Sequence, residues 1–240
     1  MLFRSLIVTG GQTYDAAGKL VEDQMTDAGY TMSKVFVGGT DHDNIEKAIE
    51  AARKSDAKFV LVAQELRKTN IAEYLLYMWQ IEDTIRAFDC SLSRIRREYI
   101  DRFDYTEEQK EDEADWFGNL IRMMNSEGCR EHGHIQINKV VMQQLQELHA
   151  QLLASSKFPF YNAEYYKVLP YIVELRNRGA NKEENEIETC FNSLYGVMML
   201  RLQKKDISPD TQHAVKEIST FIGMLSDYYK KDKEEGLKFE

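Results

Sequence analysis

The chain lacks the features that would place it in a membrane, in an oxidising compartment or on nucleic acid. No apolar run among its 240 residues approaches the ~20 needed to span a bilayer, and the longest, at 74–79, is flanked by charge. Its three cysteines, Cys90, Cys129 and Cys190, are odd in number, widely spaced and form no Cys-x-x-Cys. That favours reduced thiols over a disulfide framework as the expectation. Positive charge is not in excess either: 40 Asp and Glu against 31 Lys and Arg give a net charge of −9. A nucleic-acid footprint needs a basic face, so that partner is not expected. At the start, Leu6, Ile7 and Val8 make only a brief apolar run that ends at Gly10 and Gly11, unlike a secretory signal. The expectation is a cytoplasmic protein bound neither to membrane nor to nucleic acid.

Material for a core is plentiful, with 43% hydrophobic residues, and 240 residues allow one large domain or two small ones. The chain is written in two styles that meet near residue 62. Before it, Leu6 to Val8, Val35 to Val37 and Phe59 to Val62 read as strands, and 14–28 and 43–54 read as helices with Ala17, Leu20, Val21, Met25 and Ile45, Ala48, Ile49, Ala52 inward. This is β-α-β-α-β, the opening of a doubly wound parallel sheet.

Past 62 the apolar residues recur at helical spacing. A short helix is predicted at 63–68 and another after an Asn70/Glu73 cap, with Ile71, Leu75, Met78, Ile81, Ile85 and Phe88 inward. A basic helix follows at 91–103, then one capped by Thr106 and Gln109 with Trp116, Phe117, Leu120, Ile121 and Met124 inward. Further helices are predicted at about 135–155 and at 162–178, where Pro170 imposes a kink or a split. Ile187 to Leu202 carry the next. The last starts at Ser208 and Pro209, a cap followed by proline at the first helical position, and frays over 230–235. The predicted fold is mainly α: a bundle of about seven helices over 63–240, preceded by a Rossmann-like βαβαβ stub over 1–62.

Two resemblances attach to these halves. The stretch LIVTGGQTYDAAGKLVEDQMTDAGYTMSKVFVGG, with NIEKAIEAARKSDAKFVL, resembles the start of the glycerol dehydrogenase and iron-containing alcohol dehydrogenase family. That resemblance implies a dinucleotide-binding strand and helix unit, joined here to an unrelated sequence. The family's glycine-rich turn has no counterpart, because 62–67 reads Val-Ala-Gln-Glu-Leu-Arg, and no cofactor is expected. The stretch from VAQELRKTNIAEYLLYMWQIEDTIRAFD onward, including HGHIQINKVVMQQL and FPFYNAEYYKVLPYI, resembles domain-of-unknown-function family 4924. It implies a helical fold and no activity.

Four constellations in the helical part could carry chemistry. Cys129, His132 and His134 put sulfur and imidazole two to three residues apart in a loop, a spacing suited to zinc. The alternative is a polar loop whose histidines are solvated or cap the next helix. Only His149 and Cys190 offer ligands from a second segment. Arg94, Arg96, Arg97 and Arg102, with Arg86 nearby, form a basic patch that would suit an anionic ligand, or that pairs with Glu98, Asp101, Asp104 and the acidic run after it.

Glu82 falls between the faces of Met78 and Ile85 and is therefore expected to be partly buried, as an acid or base or salt-bridged to Arg86. Tyr161, Tyr165, Tyr166 and Tyr171 line either an interaction groove or the edge of the core. A ferritin-like di-iron site would need Glu-x-x-His motifs, and none occurs. The function expected from these residues is a non-catalytic interaction or scaffold domain binding a protein partner or itself. The alternatives are a small anionic-ligand binder or enzyme using Glu82, Arg86, Arg94 and Arg97, and an NAD-binding fragment.

Overall fold

The structure, a computed structural model, describes residues 4–9, 31–36, 59–178 and 184–240. Strands β1 (Arg4–Thr9) and β2 (Thr31–Phe36) pair in parallel, with Arg4 opposite Thr31 and Thr9 opposite Phe36. The helices predicted at 14–28 and 43–54 lie outside the described residues. From residue 59 onward the described chain is helical. Phe59 to Val62, predicted as a third strand, form the first turn of α1 (Phe59–Thr69). A four-residue apolar run has no periodicity of its own, and the uninterrupted helix former sequence after it sets its conformation.

Seven more α-helices follow: α2 (Ile71–Ala87), α3 (Leu92–Glu98), α4 (Glu107–Ser126), α5 (Gln136–Ala154), α6 (Pro159–Arg178), α7 (Glu186–Leu202) and α8 (Pro209–Glu235). The caps read from sequence are in place. Asn70 and Glu73 exchange hydrogen bonds at the start of α2, Thr106 and Gln109 cap each other reciprocally before α4, and Ser208 accepts from the Thr211 amide before α8.

The chain divides into two compact units, residues 1–64 with 84–125, and residues 65–83 with 126–240. In the first, the basic helix predicted at 91–103 stops at Glu98 and gives way to a 3-10 turn, Ile100–Arg102. Ile95 and Ile100 are both fully buried. Residues five apart sit ~140° around an α-helix, and the change of winding after Glu98 leaves both in the core. Tyr99 in the joint packs edge-on against Phe103 and Phe117. Helices α3 and α4 meet closely at Gly118, where an added Cβ would sit 3.3 Å from Leu92 Cδ2.

In the second unit α5, α6, α7 and α8 pack on one another. Their buried faces carry Leu145, Leu148 and Leu152, then Tyr161, Val168 and Ile172, then Ile187 and Phe191, then Ile218, Phe221, Ile222 and Leu225. Each such side chain removed from water contributes ~1.5–3 kcal/mol before ordering costs. Pro170 neither splits α6 nor sits in the core: it lies on the exposed face. Tyr166, whose carbonyl would otherwise accept from position 170, is itself an exposed residue, which fits the tolerance. Residues 230–235, predicted to fray, complete the last turns of α8. Gly236 ends the helix at φ 71 and the tail returns so that Ser155 Oγ donates to the Phe239 carbonyl at 2.8 Å.

Candidate functional site

The second unit is built around one carboxylate. Glu82 stands on α2 amid Met78, Trp79 and Ile81, and is completely buried. A buried carboxylate must collect hydrogen-bond donors or lose several kcal/mol of solvation, on the order of 3–5 when a partner is missing. Glu82 collects three from the segment that opens α5. Oε1 accepts from the Ile135 amide at 3.0 Å and from Asn138 Nδ2 at 2.8 Å. Oε2 lies 2.5 Å from His134 Nδ1. Asn138 passes the network on, its Oδ1 accepting from the Tyr74 hydroxyl at 3.3 Å.

Part of this arrangement is a helix cap supplied from a distance. Ile135 occupies the N-cap of α5 and has no side chain that can accept. Carboxylates stand in for it: Glu82 on the Ile135 amide, and Glu127 on the Gln136 amide. Negative charge there also favours the positive end of the helix dipole. The loop before it turns at Gly128 and Gly133, both at positive φ, which brings His134 back over α2.

His134 does more than complete the cap. Its ring stacks on Trp79 with centroids 4.2 Å apart and planes within 14°. Trp79 is held in turn edge-on by Tyr195, whose hydroxyl donates to Asp83 Oδ2 at 2.5 Å. Glu82 as a carboxylate only accepts, so His134 Nδ1 carries the proton and the ring's Nε2 points elsewhere. The His134 side chain is 30% exposed, and it opens onto a cleft of about 160 Å³ lined by Trp79, Asn138, Lys139, Met142, Gln146 and Glu188, among others. Glu188, on the first turn of α7, is half-buried, and burial followed by the charge of Glu184 pushes its carboxyl above the usual range.

The other residues singled out in the sequence fall elsewhere. Cys129 is buried and His132 exposed, while His134 turns to Glu82. Among the described residues no group of three or more His, Cys, Asp or Glu is placed to hold a metal ion. His149 is spent in the core, its Nδ1 2.7 Å from the Tyr161 hydroxyl, and burial keeps the Cys190 thiol protonated.

The arginines lie against carboxylates in the first unit. Arg94 pairs with Asp89 and with Glu98, Arg96 with Glu111 at 2.6 Å, and Arg97 with Glu98 at 2.5 Å. Arg86 is half-buried in the last turn of α2 and Arg102 is exposed. The tyrosines divide: Tyr161 and Tyr165 are buried, Tyr166 is exposed and Tyr171 lies between. Sequence reasoning singled out Glu82 and His134 separately and passed over Asn138, Lys139, Gln146 and Glu188. The one signal available was spacing, since His134 and Asn138 stand one helical turn apart at the head of α5.

A family model described as Domain of unknown function (DUF4924) matches residues 60–236. No curated protein and no solved structure matches the chain. Among the described residues no helix is long and apolar enough to cross a membrane.

Proposed function

The chain belongs to the family described as Domain of unknown function (DUF4924), and from the cleft between α2, α5 and α7 we propose that it binds a small polar ligand. One observation carries this reading: a fully buried carboxylate orients an imidazole that is itself partly exposed in a cleft. Capping α5 requires only the bonds from the Ile135 and Gln136 amides. It does not require a third partner that is aromatic, stacked and open to solvent. An imidazole with a fixed tautomer is a directional recognition group. The volume suits a head group and a few carbons, well below the ~300–1,000 Å³ of pockets for larger ligands. The test is a panel of small polar molecules titrated into the full chain, followed by NMR at the His134 ring and the Trp79 indole. The reading expects a saturable shift at both rings from at least one chemical class. Unmoved rings across the panel would reduce the network to a structural cap.

A second reading, a non-catalytic interaction or scaffold surface, is favoured by α6. Phe160, Tyr166 and Val173 are 80%, 67% and 47% exposed. With exposed Ala163 and Pro170 they recur three to four residues apart, an apolar stripe turned away from the core. This reading expects concentration-dependent association that Tyr166→Glu with Val173→Glu abolishes, measured by light scattering. A chain monomeric at every concentration, with no partner sensitive to the double variant, would end it.

The arginine patch supports neither reading, because Arg94, Arg96 and Arg97 are met by Asp89, Glu111 and Glu98. The dehydrogenase-like reading of the leading segment needs a parallel sheet, and β1 and β2 do pair in parallel, but its expected third strand is helical and the division at 62 has no support of its own, because residues 1–64 cluster with 84–125. Stabilisation by NAD in a thermal-shift assay would carry it, and no shift at millimolar NAD would remove it.

A further inference from the structure

The identity of the ligand's charged group follows from which charged lining residues are half-buried and which are exposed. Glu188 is half-buried on the first turn of α7, and its carboxylate makes no hydrogen bond or ion pair with another described residue. Half-buried, that carboxylate has less open water to turn into than an exposed side chain would. His134 faces the same cleft, and with Nδ1 committed to Glu82 the imidazole form of its ring offers a lone pair at Nε2. Both groups accept. Lys139 is the one cation on the lining, and it is exposed, on a four-carbon stem that lets its ammonium move into water. Met142, buried beside them, supplies apolar surface.

We propose that the cleft takes a protonated amine, its ammonium held by the Glu188 carboxylate and by His134 Nε2 and its carbon chain lying against Met142. The inference rests on the reading of this cleft as a ligand site and names the ligand's chemical class. An ammonium has three donors and a positive charge, and it meets two acceptors, one of them anionic. A carboxylate ligand would instead face the half-buried Glu188 in a partly desolvated cleft, where like charges repel more strongly than in water.

The experiment uses the full chain and the same two NMR probes, with n-butylammonium, butyrate and n-butanol titrated separately. Saturable shifts with n-butylammonium alone are expected. Glu188→Gln should weaken that binding at least about tenfold, the loss of one charge-assisted contact. Lys139→Gln should tighten it, because the competing cation is gone. Nα-acetyl-lysine amide serves as a further arm: binding tighter than n-butylammonium assigns the site to a lysine side chain in a peptide, and weaker binding to a free amine. Saturation by butyrate instead, weakened by Lys139→Gln, would leave the cleft a ligand site and overturn the ammonium. Saturation by n-butanol as strong as by n-butylammonium would do the same. No response from any of the compounds would sink the cleft reading together with this one.

Discussion

Replacing Glu82 by glutamine tests the organising claim of the second unit, because the two side chains have the same shape and differ in what they can accept. The carboxylate takes three donors: the Ile135 amide, Asn138 Nδ2 and His134 Nδ1. A glutamine carbonyl can keep the first two through one oxygen. Its amide nitrogen then points a donor at His134 Nδ1, so the imidazole must move its proton to Nε2 or lose the contact. Hydrogen bonds to a charged group contribute ~1.5–3 kcal/mol each and neutral ones about half that. Converting three of the first kind into three of the second, partly offset by the desolvation that a neutral amide avoids, costs ~2 kcal/mol. For a chain of this size that is a fall of ~4–8 °C in melting temperature.

Glu82→Ala strands the donors and leaves a cavity, so ~4 kcal/mol is expected. Calorimetry gives the stability, and 15N spectra of the imidazole ring give the tautomer. Glu82→Gln within ~0.5 kcal/mol of wild type, or an unchanged His134 tautomer, would show that the carboxylate does not orient the ring.

Gly196 and Gly223 lie inside α7 and α8 with nothing within 4 Å of an added Cβ, so alanine at either should stabilise by ~0.8–1 kcal/mol in denaturant titrations. A loss at either would mean the helix needs glycine there for a reason other than propensity. His149 is buried beside Tyr161, Tyr165 and Phe221 with Glu186 3.8 Å from its Nε2, and burial lowers its pKa below the ordinary 6.5. The unfolded chain therefore takes up this proton first as pH falls. Its contribution is fully present above about pH 6.5 and declines below that, by up to ~1.4 kcal/mol per unit of pH. Melting temperatures from pH 7.5 to 5.5 should fall more steeply for wild type than for His149→Gln, and parallel curves would refute the assignment. Removing the residues before Phe59 should leave the melting of the helical part within ~0.5 kcal/mol. A larger loss would show that the leading segment contributes to its stability.

The helices were legible because their signals are local. Asn70 with Glu73, Thr106 with Gln109, and Ser208 before Pro209 each cap a helix within one turn, and each formed as read. The two misreadings lie where a local rule has no force. Phe59 to Val62 are apolar on every side and fit a strand or a buried helix equally, and α1 is settled by the residues that follow. The break after Glu98 accompanies the burial of both Ile95 and Ile100, a packing outcome that periodicity along one segment does not express.

The site shows the same boundary more sharply. Glu82 interrupts an apolar stripe, and a carboxylate in that position signals in advance that donors must come from somewhere. Nothing in α2 says from where. The donors lie more than 50 residues further on, in a loop whose Gly128 and Gly133 turns are visible but whose destination is not. Lys139, Gln146 and Glu188 read as an ordinary solvated helix face, because a polar residue on the rim of a cleft and one in open water have the same sequence signature. An unbalanced buried charge is thus the mark to look for in a helical chain without motifs: it shows where a tertiary contact is obligatory, and here that contact led to a partly exposed imidazole held in a fixed orientation.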